Sequence, residues 1–417
     1  MAYSVYQKLS ALKPGLLYVG VDLGLDNNVA KVVNERARVL TTARFRHTRR
    51  GYAHLAERME RCVRRHRATG IVVAMEPTNY FWMLLAAELE RRHIDYYLVN
   101  AYTVRKHREG DQIDRSKDDQ RDALVIADLV RTGKYTKTRL LHGQYAELRQ
   151  YVLLHDRLQR DLRRQKNLLR HAVGMLFPEL TSVFADLTGD TAVALLRHHA
   201  SAAHIRELSV QDLIAAVRAD FTGRRLMVSK LRQAHALAAE SVGLVDSVEA
   251  LQLRTRVHLD LLLQLQAQLA CIDQALIATF HALPEAPYLL SLHALGTITS
   301  ATILAEIGDP KHFRNGSQLV KLAGIQPAPN TSGCKTRSLT PMSRQGRARL
   351  RTILYFACLR LVQVDPAFAR LYRELQERSR NPLTKKQALG ALMNQLLRVV
   401  WALMRHQTYY EPGFGMA

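Results

Sequence analysis

The first 140 residues alternate between short apolar runs and stretches with helical spacing. Residues 17–22 (LYVGVD), 28–33 (NVAKVV) and 38–45 are apolar or alternating segments, and Gly24 with Asp26-Asn27 supplies the first turn between them. Residues 52–67 place Leu55, Met59 and Val63 on one helical side, 71–75 (IVVAM) is a β-branched run, and 80–92 is helical. A further strand is predicted at 96–99 (YYLV), and a helix at 118–131 bearing Leu124, Ile126, Ala127 and Val130. From about Glu147 the period changes. Leu148, Tyr151, His155, Leu158, Leu162, Gln165, Leu169 and Leu176 follow a 3-4 spacing, the seam of a coiled coil, with His155 and Gln165 as polar interruptions and Pro178 as its end. A second seam, Leu262, Leu265, Leu269, Ile272 and Leu276, stops near Phe280. An antiparallel helical hairpin and a dimerising coiled coil both satisfy these two seams. Residues 190–250 between them are helical in character with no legible chemistry. Beyond Pro284 and Pro287 the chain is helical at both ends and rich in Gly, Ser and Thr from 327 to 346.

Three strands in succession, then helix, strand, helix, strand, helix, describe a mixed α/β sheet in the element order of the RNase H-like (RuvC-like) fold. The expected fold class is therefore α/β plus α. Its three parts are a mixed-sheet domain over 1–140, a helical coiled-coil region over 141–283, and a mainly helical C-terminal domain over 284–417.

Composition narrows the function. Apolar residues are 47% and charged residues 23%, ordinary for a chain that buries a core, yet the net charge is +23. Of the 60 cations 46 are Arg, whose planar fork matches phosphate oxygens, so the excess points to a polyanion. No stretch of about 18 uncharged apolar residues occurs; 259–283 is interrupted by Asp260, Asp273 and several Gln, so no membrane role is expected. The N-terminus lacks the order of a signal peptide, and Cys62, Cys271, Cys334 and Cys358 form no C-x-x-C pair, which fits a reducing, cytoplasmic setting.

Four acids stand where chemistry is expected. Asp22 ends the first strand, Glu76 follows the strand 71–75, and Asp119 and Asp122 lie three apart on one helical face. In an RNase H-like sheet these elements converge, and four like charges brought together need cations to hold them. Hard oxygen donors suit Mg²⁺ or Mn²⁺, and two such ions stabilise both the attacking and the leaving oxygen of a phosphodiester. VGVDLG also suits the phosphate turn of actin-like sugar kinases. Those need a second Asp-x-Gly turn, and Asp22-Leu23-Gly24 is the only one here.

The run VNAYTVRKHREGDQIDRSKDDQRDALVIADL (99–129) resembles the signature of the DEDD-type insertion-sequence transposases, relatives of the Piv DNA invertase. Lys117, Asp119, Asp122 and Ala123 match the family's Lys-x-Asp-x-x-Asp-Ala, and VGVDLG and AMEP match its first two acidic motifs, giving Asp22 and Glu76. Asp118 beside Asp119 departs from the pattern and is the alternative ligand. LLSLHALGTITSATILAEIGDPKHFRNGSQLVKLAGIQP (289–327) is similar to the opening of the family's C-terminal transposase domain, and the terminal TYYEP (408–412) matches as well. The resemblance implies that the serine of the pair Ser332-Gly333 attacks DNA to form a phosphoserine link, with Thr331 and Ser343 as local competitors. A serine hydroxyl needs a base or metal to take its proton, which the carboxylate cluster would supply in a composite site, completed within or between subunits. Lys335, Arg337 and Arg344 would neutralise the scissile phosphate. Two rival readings share part of this. A Holliday-junction-type metal-dependent nuclease has the carboxylates but no use for Ser332, and a non-catalytic nucleic-acid-binding scaffold uses the charge alone.

The cations gather in two places. Arg157, Arg160, Arg163, Arg164, Lys166 and Arg170 flank the first seam against only Asp156 and Asp161, and Arg344, Arg347, Arg349 and Arg351 form a second dense run, Arg347 and Arg351 one turn apart. Aromatics are 7% and none interleave these runs, so backbone contacts are expected and base stacking is not indicated. The resemblance implies donor and target DNA as substrates, a structured bridge RNA as guide, and a homo-oligomer, dimer or tetramer.

Overall fold

The structure, a computed structural model, describes residues 5–10, 12, 14–77, 80–111, 119–328, 331–332, 335–336 and 341–413. The chain divides into two compact units, 1–140 and 141–417.

The first unit runs α1 (Val5–Ser10), β1 (Leu16–Leu23), β2 (Asn28–Val33), β3 (Val39–Phe45), α2 (Arg49–Arg65), β4 (Gly70–Met75), α3 (Phe81–Arg91), β5 (Asp95–Leu98), α4 (Ala101–Asp111) and α5 (Asp119–Arg131). The strands form one sheet in the order β3-β2-β1-β4-β5. β1 to β3 pair antiparallel as a meander, and β4 and β5 add in parallel on the other side of β1. This mixed five-stranded sheet is compatible with an RNase H-like domain. All five expected strands are present. Asn28, fully buried, starts β2 with its amide satisfied on both sides, accepting from Gly24 N and donating to Phe45 O at 3.1 and 3.0 Å. Leu17, Val19, Val21 and Leu23 face α2 and α3, while Leu16 and Tyr18 face α5. α4 was not expected: among the described side chains of AYTVRKHREGD Val104 alone is buried, and the apolar residues follow no helical period. Its first turn is set by Asn100, whose carbonyl and side chain accept from Val104 N and Tyr102 N.

The second unit is helical. α6 (Gly143–Leu176) and α12 (Val248–His281) are each 34 residues long and pack against each other. His155 meets Asp273 at 3.2 Å and Gln165 meets His258 at 3.0 Å, so one helix descends as the other climbs. The seams are thus filled within one chain as an antiparallel pair, and the two polar interruptions of the first seam find polar partners across it. At one end of the pair α7 (Leu180–Val183), α8 (Asp190–His198), α9 (Ala202–Arg206), α10 (Val210–Ala219) and α11 (Val228–Ala239) close a core over Leu169, Val173, Leu176, Leu259 and Leu262. At the other end Leu148, Val152, Leu276 and Phe280 join a separate core. That core is built by α13 (Ala286–Leu290), α14 (Thr297–Ile307), α15 (Gly316–Ala323), α16 (Ala348–Val364), α17 (Pro366–Glu377) and α18 (Lys385–His406). α12 is long and apolar enough to cross a membrane by length and composition. Its two ends spend their largest apolar side chains in the two cores. The terminal TYYEP is fixed to the second core through Tyr410, whose N–H donates to Ser291 Oγ and whose hydroxyl donates to Asp365 Oδ2.

One close approach organises the first unit. A Cβ on Gly20 would lie 1.9 Å from Ala123 O and 2.3 Å from Ala127 N, so α5 lies directly on β1. Gly20→Val is expected to destabilise the first unit by about 3 kcal/mol or more through overpacking, read as a lowered urea midpoint for 1–140 in the full chain.

Candidate active site

Val21 pairs with Met75 in the parallel β1–β4 ladder, so the residues that follow, Asp22 and Glu76, are lateral neighbours at one edge of the sheet. Their backbones are separated by the ordinary interstrand spacing of about 5 Å. Side chains alternate along a strand, and residues 16, 18, 72 and 74 lie in the core against α5, so Asp22 and Glu76 share the α5 face. The direction of α5 follows from its contacts. Gly20 meets Ala123 and Ala127, and Tyr18, further from the edge, packs among Val125, Ile126, Leu129 and Val130. α5 therefore runs opposite to β1 and presents its first turn, with Asp119 and Asp122, at the edge that carries Asp22 and Glu76. Asp122 is buried at 7% and Asp119 is exposed. Position in a first turn favours both carboxylates through the helix dipole. His107 and Arg131 meet the two oxygens of Asp128 at 3.0 and 2.6 Å, the first tying α4 to α5. Lys117 and Asp118 lie outside the described residues.

Among the described residues no three His, Cys, Asp or Glu side chains form a group able to hold a metal ion. What the fold provides is a set of hard oxygen donors on one face at one edge. Hard oxygen donors are suited to a divalent ion.

The same edge has a second feature that the sequence did not announce. His47, between β3 and α2, donates from Nε2 to Gly24 O at 3.0 Å, stacks on Phe81 with ring centroids 4.1 Å apart, and contacts Tyr52 Oη through Nδ1 at 2.8 Å. A carbonyl only accepts, so Nε2 bears the proton, and in the neutral ring Nδ1 accepts from the Tyr52 hydroxyl. Burial pushes the Tyr52 hydroxyl up to about 12, so it remains a donor. His47 thus links the turn after Asp22 to the helix that follows Glu76.

In the second unit the Gly/Ser/Thr-rich segment is an excursion with a built neck. β6 (Thr331–Ser332) and β7 (Lys335–Thr336) pair antiparallel, setting Ser332 opposite Lys335. Asn330, Gly333, Cys334 and Arg337 lie outside the described residues. At the neck Arg344 N and Ser343 Oγ both donate to Gly324 O, at 2.9 and 3.2 Å, and Ala328 N donates to Pro341 O at 2.8 Å. The hydroxyl of Ser343 is therefore spent on the neck. Gly324 has φ +67° and a Cβ there would sit 2.8 Å from Gly346 N, so two glycines let the two legs touch.

Below the neck lies a buried ionic hub. Glu306, at the end of α14 and 2% exposed, meets Arg149 at 3.3 Å, Arg349 at 3.1 Å and Arg347 at 3.6 Å. Arg347 also donates to Glu306 O, Arg349 reaches Asp156 at 3.0 Å, and Arg351 donates to Ala323 O at 2.8 Å. Burial, then the like charge of Arg149, pulls Arg347 down to about 10. Arg347 and Arg351 thus brace the base of the excursion, while Arg344 is exposed at the neck. On α6, Arg157, Arg163 and Arg164 are exposed and Lys166 is half-buried. Arg160 meets Asp156 at 3.4 Å, and Arg170 donates to Ala185 O at 3.3 Å.

Residues 19–178 match the DEDD family model of IS110 type, described as a transposase, and residues 286–373 match the transposase IS116/IS110/IS902 family. The chain belongs to the DEDD-type insertion-sequence transposases. This transposase, an enzyme acting on DNA, is 25% identical over 430 residues to the IS116 44.8 kDa protein of Streptomyces clavuligerus, covering 95% of this chain and 96% of that one. It is 27% identical to the IS110 43.6 kDa protein of Streptomyces coelicolor over 71% of this chain and 72% of that one. A pilin gene-inverting protein of Moraxella lacunata is 26% identical over 34% of this chain and 44% of its own length. The first match begins within β1 and ends just after α6, and the second spans α13 to most of α17 with the excursion between.

The transposase sequence gave no sign of His47 or Glu306, because their partners are remote in the chain. Gly24 and Arg149 are 23 and 157 residues away from them. Removing Glu306 leaves three guanidinium groups facing one another. Glu306→Ala is expected to cost about 3 kcal/mol, measured as a fall in the unfolding midpoint of the second unit by hydrogen exchange or denaturant titration.

Proposed function

We propose that the protein is a cytoplasmic DNA recombinase of an insertion sequence in which Ser332 is the nucleophile and the acids of the first unit assist it. The reading is carried by one observation: Asp22 and Glu76 are neighbours in register on parallel strands, on the face where α5 presents Asp119 and Asp122. Asp22, Glu76, Asp119 and Asp122 would hold Mg²⁺ or Mn²⁺, which when bound would neutralise phosphodiester charge and ease loss of the serine proton. Ser332 Oγ attacks the phosphorus, its proton passes to a carboxylate or water, and the displaced DNA oxygen leaves as a free hydroxyl end. The phosphoserine conserves the bond energy, so a hydroxyl end from another strand restores the phosphodiester and releases the serine. Lys117, Lys335, Arg337 and Arg344 bind the phosphates that flank the break.

The exposed cations of α6 (Arg157, Arg160, Arg163, Arg164, with Lys166 and Arg170 beside them) and the run Arg344, Arg347, Arg351 are assigned to nucleic-acid backbone, within the limits that Arg347 and Arg351 also brace the fold. A structured guide RNA suits a surface that offers a run of guanidinium groups over residues 157–170 of α6. A homo-oligomer, dimer or tetramer, is supported by Leu154, Leu253, Val257 and Leu261, which leave large apolar side chains exposed along α6 and α12.

The test is strand exchange between plasmids bearing the ends of the encoding element, with Mg²⁺. Asp22→Ala and Ser332→Ala are each expected to lower exchange about a thousandfold or more. A covalent protein–DNA adduct, seen on a denaturing gel, is expected to vanish in Ser332→Ala. Undiminished strand cleavage by Ser332→Ala would instead identify a metal-dependent nuclease, and undiminished exchange by Asp22→Ala would remove the acids from catalysis.

A further inference from the structure

Three rings stand in a column at the acidic edge. His47 is clamped by Gly24 O and Tyr52 Oη, and Phe81, 8% exposed, lies parallel to it at 4.1 Å with planes 10° apart. Tyr80 leans on Phe81 at 4.3 Å and 40°, and is itself 58% exposed. Two rings locked from behind thus hold a third in water. Leu84, one turn further along α3, is also exposed. It helps line a cleft of about 410 Å³ with His47, Arg49, Tyr52, Glu88 and Arg91. Glu88 is occupied by Arg91 and Arg92 at 2.5 and 2.6 Å, while Arg49 is exposed in the lining and Arg46 and Arg50, exposed as well, flank His47 and Arg49 in the chain. Among the described residues the other exposed tyrosine of this unit, Tyr102, already has Lys106 Nζ 5.9 Å from its ring centre.

An exposed aromatic ring costs hydration, and supporting rings make it stiff, so a flat partner that stacks on it loses little side-chain entropy. Cations around apolar, planar surface select a ligand with a π-face and an adjoining phosphate. A base inside a duplex has both faces covered already, so the partner is a base out of its stack. Strand exchange opens such bases beside the phosphodiester being cut.

We propose that the column His47–Phe81–Tyr80 is a stacking platform for an unstacked nucleobase of the DNA strand held at the Asp22–Glu76 edge. The proposal rests on the reading of that edge as the place where DNA reacts. Tyr80 contacts the base, and His47 and Phe81 are positioning residues behind it. The platform lies at the same edge as the acids but toward the opposite, α2/α3 side of the sheet, because Phe81 and Tyr52 belong to the core of that side. A strand crossing the edge would meet the acids on one side and Tyr80 on the other.

The probe is a single-stranded oligothymidylate of about 20 nucleotides carrying 5-iodouracil, bound to the full chain in EDTA so that no cleavage occurs. On irradiation the cross-link is expected at Tyr80. By fluorescence anisotropy Tyr80→Ala and Tyr80→Leu are expected to bind about 5- to 100-fold more weakly, whereas Tyr80→Phe and Tyr80→Trp bind within about twofold of the parent. Unchanged affinity of Tyr80→Ala, equal weakening of Tyr80→Phe, or a Tyr80 cross-link formed with oligouridylate RNA but not with DNA would each overturn the proposal. The same measurements on Asp22→Ala separate the two readings. If that variant still exchanges strands while Tyr80 cross-links, the catalytic assignment falls and the platform stands. If it is inactive while Tyr80→Ala binds as the parent does, the platform falls alone.

Discussion

The contact between Gly20 and the backbone of α5 is the constraint on which the acidic edge depends. Without a Cβ at that position, the carbonyl of Ala123 and the amide of Ala127 come down onto β1, and the helix is pinned in both translation and direction. Everything chemical at the edge follows from that pin. Asp22 is two residues further along the strand, on the same face, and the first turn of α5 is one turn before Ala123. Carboxylates so placed repel one another. The fold offsets part of that cost by setting Asp119 and Asp122 at the positive end of a helix and by leaving Asp119 in water. An edge that retains hard, partly solvated oxygens after these compensations is suited to a divalent ion.

The second unit is governed by a different interaction. Glu306 is almost fully removed from water, which is expensive for a charge, and three arginines with a second carboxylate, Asp156, return the lost hydration as charge-assisted hydrogen bonds. The hub joins α6, α14 and α16, and Arg347 stands where the returning leg of the Ser332 excursion enters α16. The excursion is thus fixed at its base by ions and at its neck by backbone bonds and two facing glycines. Part of the arginine excess is consumed in this masonry, so the net charge of +23 overstates the number of cations offered to nucleic acid.

The long α6–α12 pair shows how the same pattern serves two neighbours. Its middle, around His155, Gln165, His258 and Asp273, is only half-buried, and polar side chains are tolerated there because they meet each other. Its ends enter separate cores, where Leu148, Leu176, Leu262 and Phe280 are fully buried. The antiparallel pairing thus fills the seam, polar interruptions included, without a second chain.

By itself the sequence determined the five strands, the change from a two-residue to a helical period near Glu147, the seams of both long helices, and the motifs by which the family is recognised. Each of these is written in spacing along a short stretch of chain, where backbone geometry alone translates sequence into shape. α4 escaped because its few apolar residues follow no helical period. Tertiary structure alone decided that the seams close on each other, that Arg347 and Arg351 lean on carbonyls, that Glu306 is a hub, and that His47 clamps the turn after Asp22. Such partners lie 23 to 157 residues apart, and no local rule of spacing encodes a contact that exists only once helices and strands have packed. The exposed ring of Tyr80 belongs to the same class. Phe81 is its neighbour in the sequence, but only the fold brings His47 behind that pair and sets the carboxylates at the same edge.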